Sequence, residues 1–176
     1  WERQVPSTAA VAPMRLLNYS LFLADAPIER NVPFHETPQR TLKLDFYKPH
    51  NTQSRPSPVI IVIHGGGWHH GDKGGWFEPH NRYLAACGYA VFDVQYRFTA
   101  TDHTFWPDQL ADIRAAIRYV KAHAAEYGVD PERIGLIGRS AGAQLALQAA
   151  YRAEGADADT AVQTVIGIYT PGNLFI

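Results

Sequence analysis

Arg133-Ile134-Gly135-Leu136-Ile137-Gly138-Arg139-Ser140-Ala141-Gly142-Ala143-Gln144-Leu145-Ala146 decides how this chain folds. Residues 133–137 have the apolar run of a short strand, and residues 140–152 have the alanine-rich composition of a helix. Gly138 and Gly142 bracket the junction. A turn this tight leaves no room for side chains there, because they would collide with the neighbouring strand and helix, so glycine has a steric cause. The turn lifts Ser140 above the sheet, where a nucleophile on a strand-to-helix elbow sits. Gly-x-Ser-x-Gly is common by chance, and its position between strand and helix is what carries the signal. At the start of the helix, unpaired N–H groups and the positive dipole end favour an oxyanion, with the Ala141 N–H as the natural first donor.

Upstream, residues 59–63 are an uninterrupted apolar run, the pattern of a strand buried on both faces, and they empty into His64-Gly65-Gly66-Gly67-Trp68. A helix is expected at 79–87, stopped by Gly88, and a strand at 89–94. Pro107 opens the clearest amphipathic helix, with Leu110, Ile113, Ile117 and Val120 on one face and Gly128 as its stop. Asp130-Pro131 turns the chain into the strand before the elbow, and residues 164–169 form a last strand. Leu42, Leu44 and Phe46 alternate with Lys43 and Asp45, the period of a half-buried strand. Alternating strands and helices predict right-handed crossovers, hence an α/β fold with a mostly parallel sheet covered by helices on both faces. Residues 1–40, rich in proline and holding one amphipathic segment around 14–24, read as an N-terminal arm or cap; residues 41–176 read as the α/β domain.

The chain has 176 residues, the size of one domain, which buries on the order of 70% of its unfolded surface. Sixteen lysines and arginines face 17 acidic residues, so there is no net field to steer nucleic acid or an anionic membrane, and a small neutral or aromatic substrate fits better. Cys87 stands alone, which excludes an internal disulfide and a multi-cysteine zinc site; a buried place at a helix end is expected for it. No apolar run approaches the roughly 20 residues of a membrane helix. The protein reads as soluble, with cytoplasm and secretion both open.

His64-Gly65-Gly66-Gly67-Trp68, Gly71-Asp72-Lys73, Tyr96-Arg97 and Gly138-Arg139-Ser140-Ala141-Gly142 together resemble the hormone-sensitive-lipase-like branch of the α/β hydrolases and the related microbial carboxylesterases, over residues 41–176. The resemblance implies an α/β-hydrolase fold, Ser140 as nucleophile, and the Gly66, Gly67 and Ala141 amides as the oxyanion hole. It also implies that His64, with Gly65 and Trp68, supports the loop and is not the base, and that no cofactor is needed. Gln95 stands where such proteins usually carry Asp, and Ala143 where a further Gly is common; both positions look structural. Arg139 is unusual beside the nucleophile, and a solvated or salt-bridged place is expected for it over one that biases the pocket toward anions.

A serine attacking at neutral pH needs a general base, and in this fold the chain order is Ser, then acid, then His. All eight histidines, at 35, 50, 64, 69, 70, 80, 103 and 123, precede Ser140. Glu154, Asp157 and Asp159 follow it, but in the loop after the elbow helix, where solvation is expected. The acid and base strands are thus expected in a C-terminal portion of the same hydrolase that this sequence does not include. His69 and His70 beside the glycine loop suggest lining or solvation before a metal site, and no metal is expected. Trp68, Trp76, Phe77 and Trp106 suit either a substrate pocket or the core. The expected activity is cleavage of a small carboxylic ester through an acyl-enzyme. An amidase, formamidase or peptidase on the same scaffold, and a non-catalytic pseudo-hydrolase that serves as an interaction module, are the alternatives.

Overall fold

The apolar runs become the centre of a six-stranded sheet in the computed structural model, which describes residues 27–50, 56–99, 106–151 and 158–172. In chain order the strands are β1 (Ile28–Glu36), β2 (Thr41–Tyr47), β3 (Ser57–Ile63), β4 (Ala90–Val94), β5 (Val129–Arg139) and β6 (Thr164–Ile168). The helices are α1 (Glu78–Ala86), α2 (Trp106–Ala122), the one-turn α3 (Ala124–Tyr127) and α4 (Ala141–Ala150). Spatial order is β1-β2-β4-β3-β5-β6, with β4, β3, β5 and β6 parallel and β1 and β2 antiparallel to their neighbours. The sheet is therefore mixed but mostly parallel.

β3 lies between β4 and β5, and its run of β-branched residues is buried because helices cover both faces. One face packs Leu44, Val59, Ile61, Ile63, Phe92 and Leu136 against Ile113, Ile117 and Val120 of α2 and Leu145, Ala146 and Ala149 of α4. The other, smaller layer packs Tyr47, Ile60, Val62 and Val91 against Leu84 and Ala85 of α1. Every one of these apolar residues of α2 falls on the stripe read from the sequence. The helix opened by Pro107 ends earlier than expected, at Ala122, and Gly128 instead closes the separate one-turn α3 with a left-handed φ of 65°.

The arm expected through residue 40 is corrected here: residues 28–36 form the edge strand β1, paired to β2 along its length. Pro33, two register shifts and the left-handed Asn31 hid the alternation, and only an edge position tolerates a proline with no N–H to give. The amphipathic segment around 14–24 lies outside the described residues. Cys87, expected buried, caps α1 and is exposed, because the helix turns Asn81 and Ala85 inward and carries position 87 off that face.

After β4, Tyr96 and Arg97 turn back into the molecule. Arg97 holds the fully buried Asp112 of α2 through Nε (3.1 and 2.9 Å), Nη2 (2.7 Å) and its backbone N–H (2.9 Å). This pair fastens α2 to the C-terminal edge of the sheet. Asp112→Ala leaves the guanidinium, 10% exposed, without its main acceptor. A loss of about 3–5 kcal/mol in unfolding free energy is expected from urea denaturation, with Asp112→Asn losing less.

Candidate active site

Ser140 stands where β5 ends and α4 begins, at φ 50° and ψ −122°. A non-glycine residue in that region costs of order 1–3 kcal/mol and persists only where its surroundings hold it. Three hydrogen bonds do so: Ser140 N–H to Ile168 O (3.0 Å), and Ala143 and Gln144 N–H to Ser140 O (2.9 and 3.2 Å). Ser140 occupies the N-cap position, yet its hydroxyl makes no cap hydrogen bond. The amides of Ala141 and Gly142 precede the first helical bond and are the orphan donors of the helix start.

The flanking glycines are sterically required. A Cβ on Gly138 would fall 2.5 Å from the Gly142 carbonyl carbon, and one on Gly142 would fall 2.8 Å from the His64 carbonyl carbon. The start of α4 thus rests directly on the exit of β3. Gly65 closes the arrangement: a Cβ there would lie 2.9 Å from Arg139 O and 3.2 Å from Ser140 Cβ, so the glycine loop abuts the elbow.

Gly66, Gly67 and Trp68 all have positive φ (130°, 57° and 66°). Among the described residues no hydrogen bond engages the N–H of Gly66 or Gly67, while Gly66 O accepts from His69 and His70. Trp68 is fastened through its carbonyl to Thr99 N–H (2.8 Å) and Gln109 Nε2 (3.0 Å), and through Nε1 to Gln144 (3.3 Å). His64 sits beneath this loop, buried and stacked on Tyr96, with ring centroids 4.4 Å apart. Burial lowers its pKa to about 4, so the ring is neutral and its Nδ1–H donates to Gly65 O at 2.7 Å. Nε2 is buried without a partner. Among the described residues no histidine is hydrogen-bonded to Ser140.

His69 and His70 are exposed, and no group of metal-ligating side chains gathers among the described residues. Gln95 bridges β2 and the loop by accepting from Lys43 N–H and donating to Asp72, a structural use of the position. Ala143 is buried, 3.6 Å from where a Cβ on Gly167 would be. Trp76 is 88% exposed, and the side chain of Trp106 lies outside the described residues. Asp159 pairs on the surface with Arg118; Glu154 and Asp157 lie outside the described residues.

Arg139 corrects the expectation of a solvated or salt-bridged side chain. It is 4% exposed, its guanidinium lies over the Phe77 ring, and Nε and Nη1 are buried without an acceptor. It lines a cavity of about 360 Å³ between α1 and the sheet, with Val62, Phe77, Asn81, Ile137 and Ile168. Beside it lies a polar cluster not anticipated from the sequence. Asp93 is buried, and its Oδ2 accepts from Gly74 N–H (2.6 Å) and Asn81 Nδ2 (2.7 Å). An aspartate in the apolar run 90–94 was the signal available for it.

A mostly parallel sheet, helices on both faces, and a left-handed serine at a strand-to-helix turn beside a glycine loop define the class as α/β hydrolase. The chain belongs to the BD-FAE family, whose model matches residues 44–175. It is 36% identical over 120 residues to "Probable carboxylic ester hydrolase LipM" of Mycobacterium tuberculosis, covering 64% of this chain and 27% of that protein. Esterase LipC of the same organism is 31% identical over 148 residues, covering 80% and 36%. The esterase Est2 of Thermogutta terrifontis superposes with a TM-score of 0.69 at 29% identity, over 84% of this chain and 54% of that structure. The chain thus spans about a quarter to a third of these curated relatives and about half of the solved esterase. Among the described residues no helix is long and apolar enough to cross a membrane.

Burial raises the pKa of Asp93 from 3.8 to about 7. Between those values the folded protein holds a proton that the unfolded chain releases, so this stabilisation is full below about pH 4 and is lost as pH rises through 7. His64 has the opposite sign, with stability lost as pH falls from 6.5 toward 4, but it is common to parent and variant. Asp93→Asn cannot titrate. Its stability relative to the parent is therefore expected to rise between about pH 5 and about pH 8, read from urea midpoints at each pH; an unchanged gap would refute the burial effect.

Proposed function

We propose that this chain carries the nucleophile and oxyanion hole of a serine carboxylesterase acting through an acyl-enzyme on Ser140. The observation that carries the proposal is the juxtaposition at Gly65. The loop bearing the unengaged Gly66 and Gly67 amides packs against Ser140 Cβ, while the Ala141 amide opens the adjacent helix.

In the proposed cycle, Ser140 Oγ attacks the ester carbonyl carbon and gives its proton to a general base. The carbonyl oxygen becomes an oxyanion that accepts from the Gly66, Gly67 and Ala141 N–H groups, each such donor contributing about 2.7–4 kcal/mol in comparable sites. Collapse expels the alcohol, which takes the proton from the base, and the acyl group remains on Ser140. Water, deprotonated by the same base, then releases the acid.

The base is proposed to be a histidine braced by a carboxylate, from polypeptide outside the described residues. His64 is unsuited, because its Nδ1 is committed to Gly65 and its Nε2 is buried. Small acyl groups are the proposed substrates, since the structurally similar Est2 has been solved with propionate and with butyrate bound. That esterase is also phosphonylated by sarin, which recommends an organophosphorus probe.

The natural polypeptide is expected to hydrolyse p-nitrophenyl butyrate and to take up one fluorophosphonate, located on Ser140 by peptide mass spectrometry. Ser140→Ala should lose the adduct and about 10⁴-fold or more in kcat. Labelling at another residue, or full turnover by Ser140→Ala, would overturn the assignment.

A further inference from the structure

Every carbonyl from Gly66 to Trp68 is engaged. Gly66 O accepts from the N–H groups of His69 and His70 (3.2 and 3.1 Å), and Gly67 O lies 2.7 Å from His69 Nδ1. These bonds stay within the loop and give it its shape. At Trp68 the loop is tied to the body of the protein: its carbonyl accepts from Thr99 N–H and from Gln109 Nε2 of α2, and its indole Nε1–H donates to Gln144 Oε1 of α4 at 3.3 Å. Of these three partners, Gln144 alone belongs to the helix that begins at Ser140.

Helix geometry explains the reach. Gln144 follows Ser140 by four residues, and residues four apart share one face of a helix. Side chains on a helix lean toward its N-terminus, so the buried amide of Gln144 is carried back over the elbow turn, toward the loop that abuts the elbow at Gly65. The backbone N–H of the same residue donates to Ser140 O at 3.2 Å. Gln144 is therefore bonded to the candidate nucleophile through its main chain and to the residue after Gly67 through its side chain.

Trp68 is a residue that needs such holding. Its φ of 66° is a conformation that a bulky side chain rarely adopts and that persists only where the surroundings fix it. It completes a run of three positive φ angles, after Gly66 at 130° and Gly67 at 57°. With the carbonyls of this run tied back, the Gly66 and Gly67 N–H groups are the ones left unengaged among the described residues. Relaxation at Trp68 would shift the chain that bears those two amides relative to Ser140.

We propose that Gln144 is a positioning residue: by tying the Trp68 indole to the elbow helix, it keeps the Gly66 and Gly67 amides in register with Ser140. The inference rests on the proposed roles of Ser140 and the loop amides. Gln144 acts through Trp68 and touches no reacting atom, yet its effect on rate is direct, since displacement by about 1 Å can cost on the order of 10²-fold.

The test uses the natural polypeptide with p-nitrophenyl butyrate and a fluorophosphonate, with circular dichroism to confirm folding of each variant. Gln144→Met keeps a side chain of similar length that cannot accept from the indole as the amide does. It is expected to lower kcat and the phosphonylation rate by roughly 10- to 100-fold with KM little changed, while the adduct still forms on Ser140. Trp68→Phe removes the donor from the other side, should lose kcat in the same way, and carries the test if Gln144→Met does not fold. The double variant should be no slower than the worse single one, because both remove the same bond.

A residue with only a structural role would lower the melting temperature and leave kcat of the folded variant intact. That outcome, a loss confined to KM, or additive losses in the double variant overturns the inference, while active parent protein leaves the esterase assignment standing. If the parent neither turns over ester nor is labelled at Ser140, the assignment fails and the inference with it.

Discussion

The start of α4 lies on the end of β3 with no side chain between them, and the rest of the site follows from that contact. Gly142 meets the carbonyls of Ile63 and His64, and Gly138 meets Gly142 itself. With both surfaces bare, the chain can reverse from strand to helix within one residue, and Ser140 takes the left-handed conformation that this reversal demands. The same contact brings the loop after β3 to the elbow, because that loop leaves the strand where α4 presses on it. The candidate nucleophile and the candidate oxyanion donors are adjacent for a packing reason before any chemical one.

Around this contact the sheet and the helix α2 packed on it carry several buried charged groups. Asp45, Asp93, Asp112 and Arg139 are all buried, in a chain whose formal charge is only −1. Asp45 and Asp112 are ion-paired to Lys73 and Arg97; Asp93 accepts from Gly74 and Asn81. Removal from water costs each group less when it is hydrogen-bonded or paired, and the bonds formed fasten loops to strand ends. His64 takes the other course. It gives up its charge, and as a neutral ring it stacks on Tyr96 and secures Gly65.

Much of this was legible in the sequence because it depends on local patterns. The glycines at 138 and 142, the run at 59–63 and the stripe from Leu110 to Val120 each announce their element through residue type and spacing alone. β1 was not legible, since Pro33 and two register shifts break the alternation a strand is recognised by, and only pairing with β2 makes it one. Arg139 was misread for a related reason. A charged residue at a strand-to-helix turn is ordinarily wet, and the burial of Arg139 under α1 depends on the sheet register, which brings together residues distant in sequence. Cys87 shows the same limit at a helix end, where one step off the inward face changes burial to exposure.

Ser140 sits at an N-cap position and does not cap, although serine is among the residues that stabilise a helix start by doing so, typically by about 1 kcal/mol. It also bears a backbone conformation that glycine would adopt without strain. On grounds of folding alone, Ser140 is a poor occupant of its own site, and selection for stability would drift toward glycine. The proposed attack on an ester carbonyl supplies a reason for a serine there that the fold does not. A strained serine held at this turn accords with the proposed nucleophile role, which makes a demand on position 140 that folding does not.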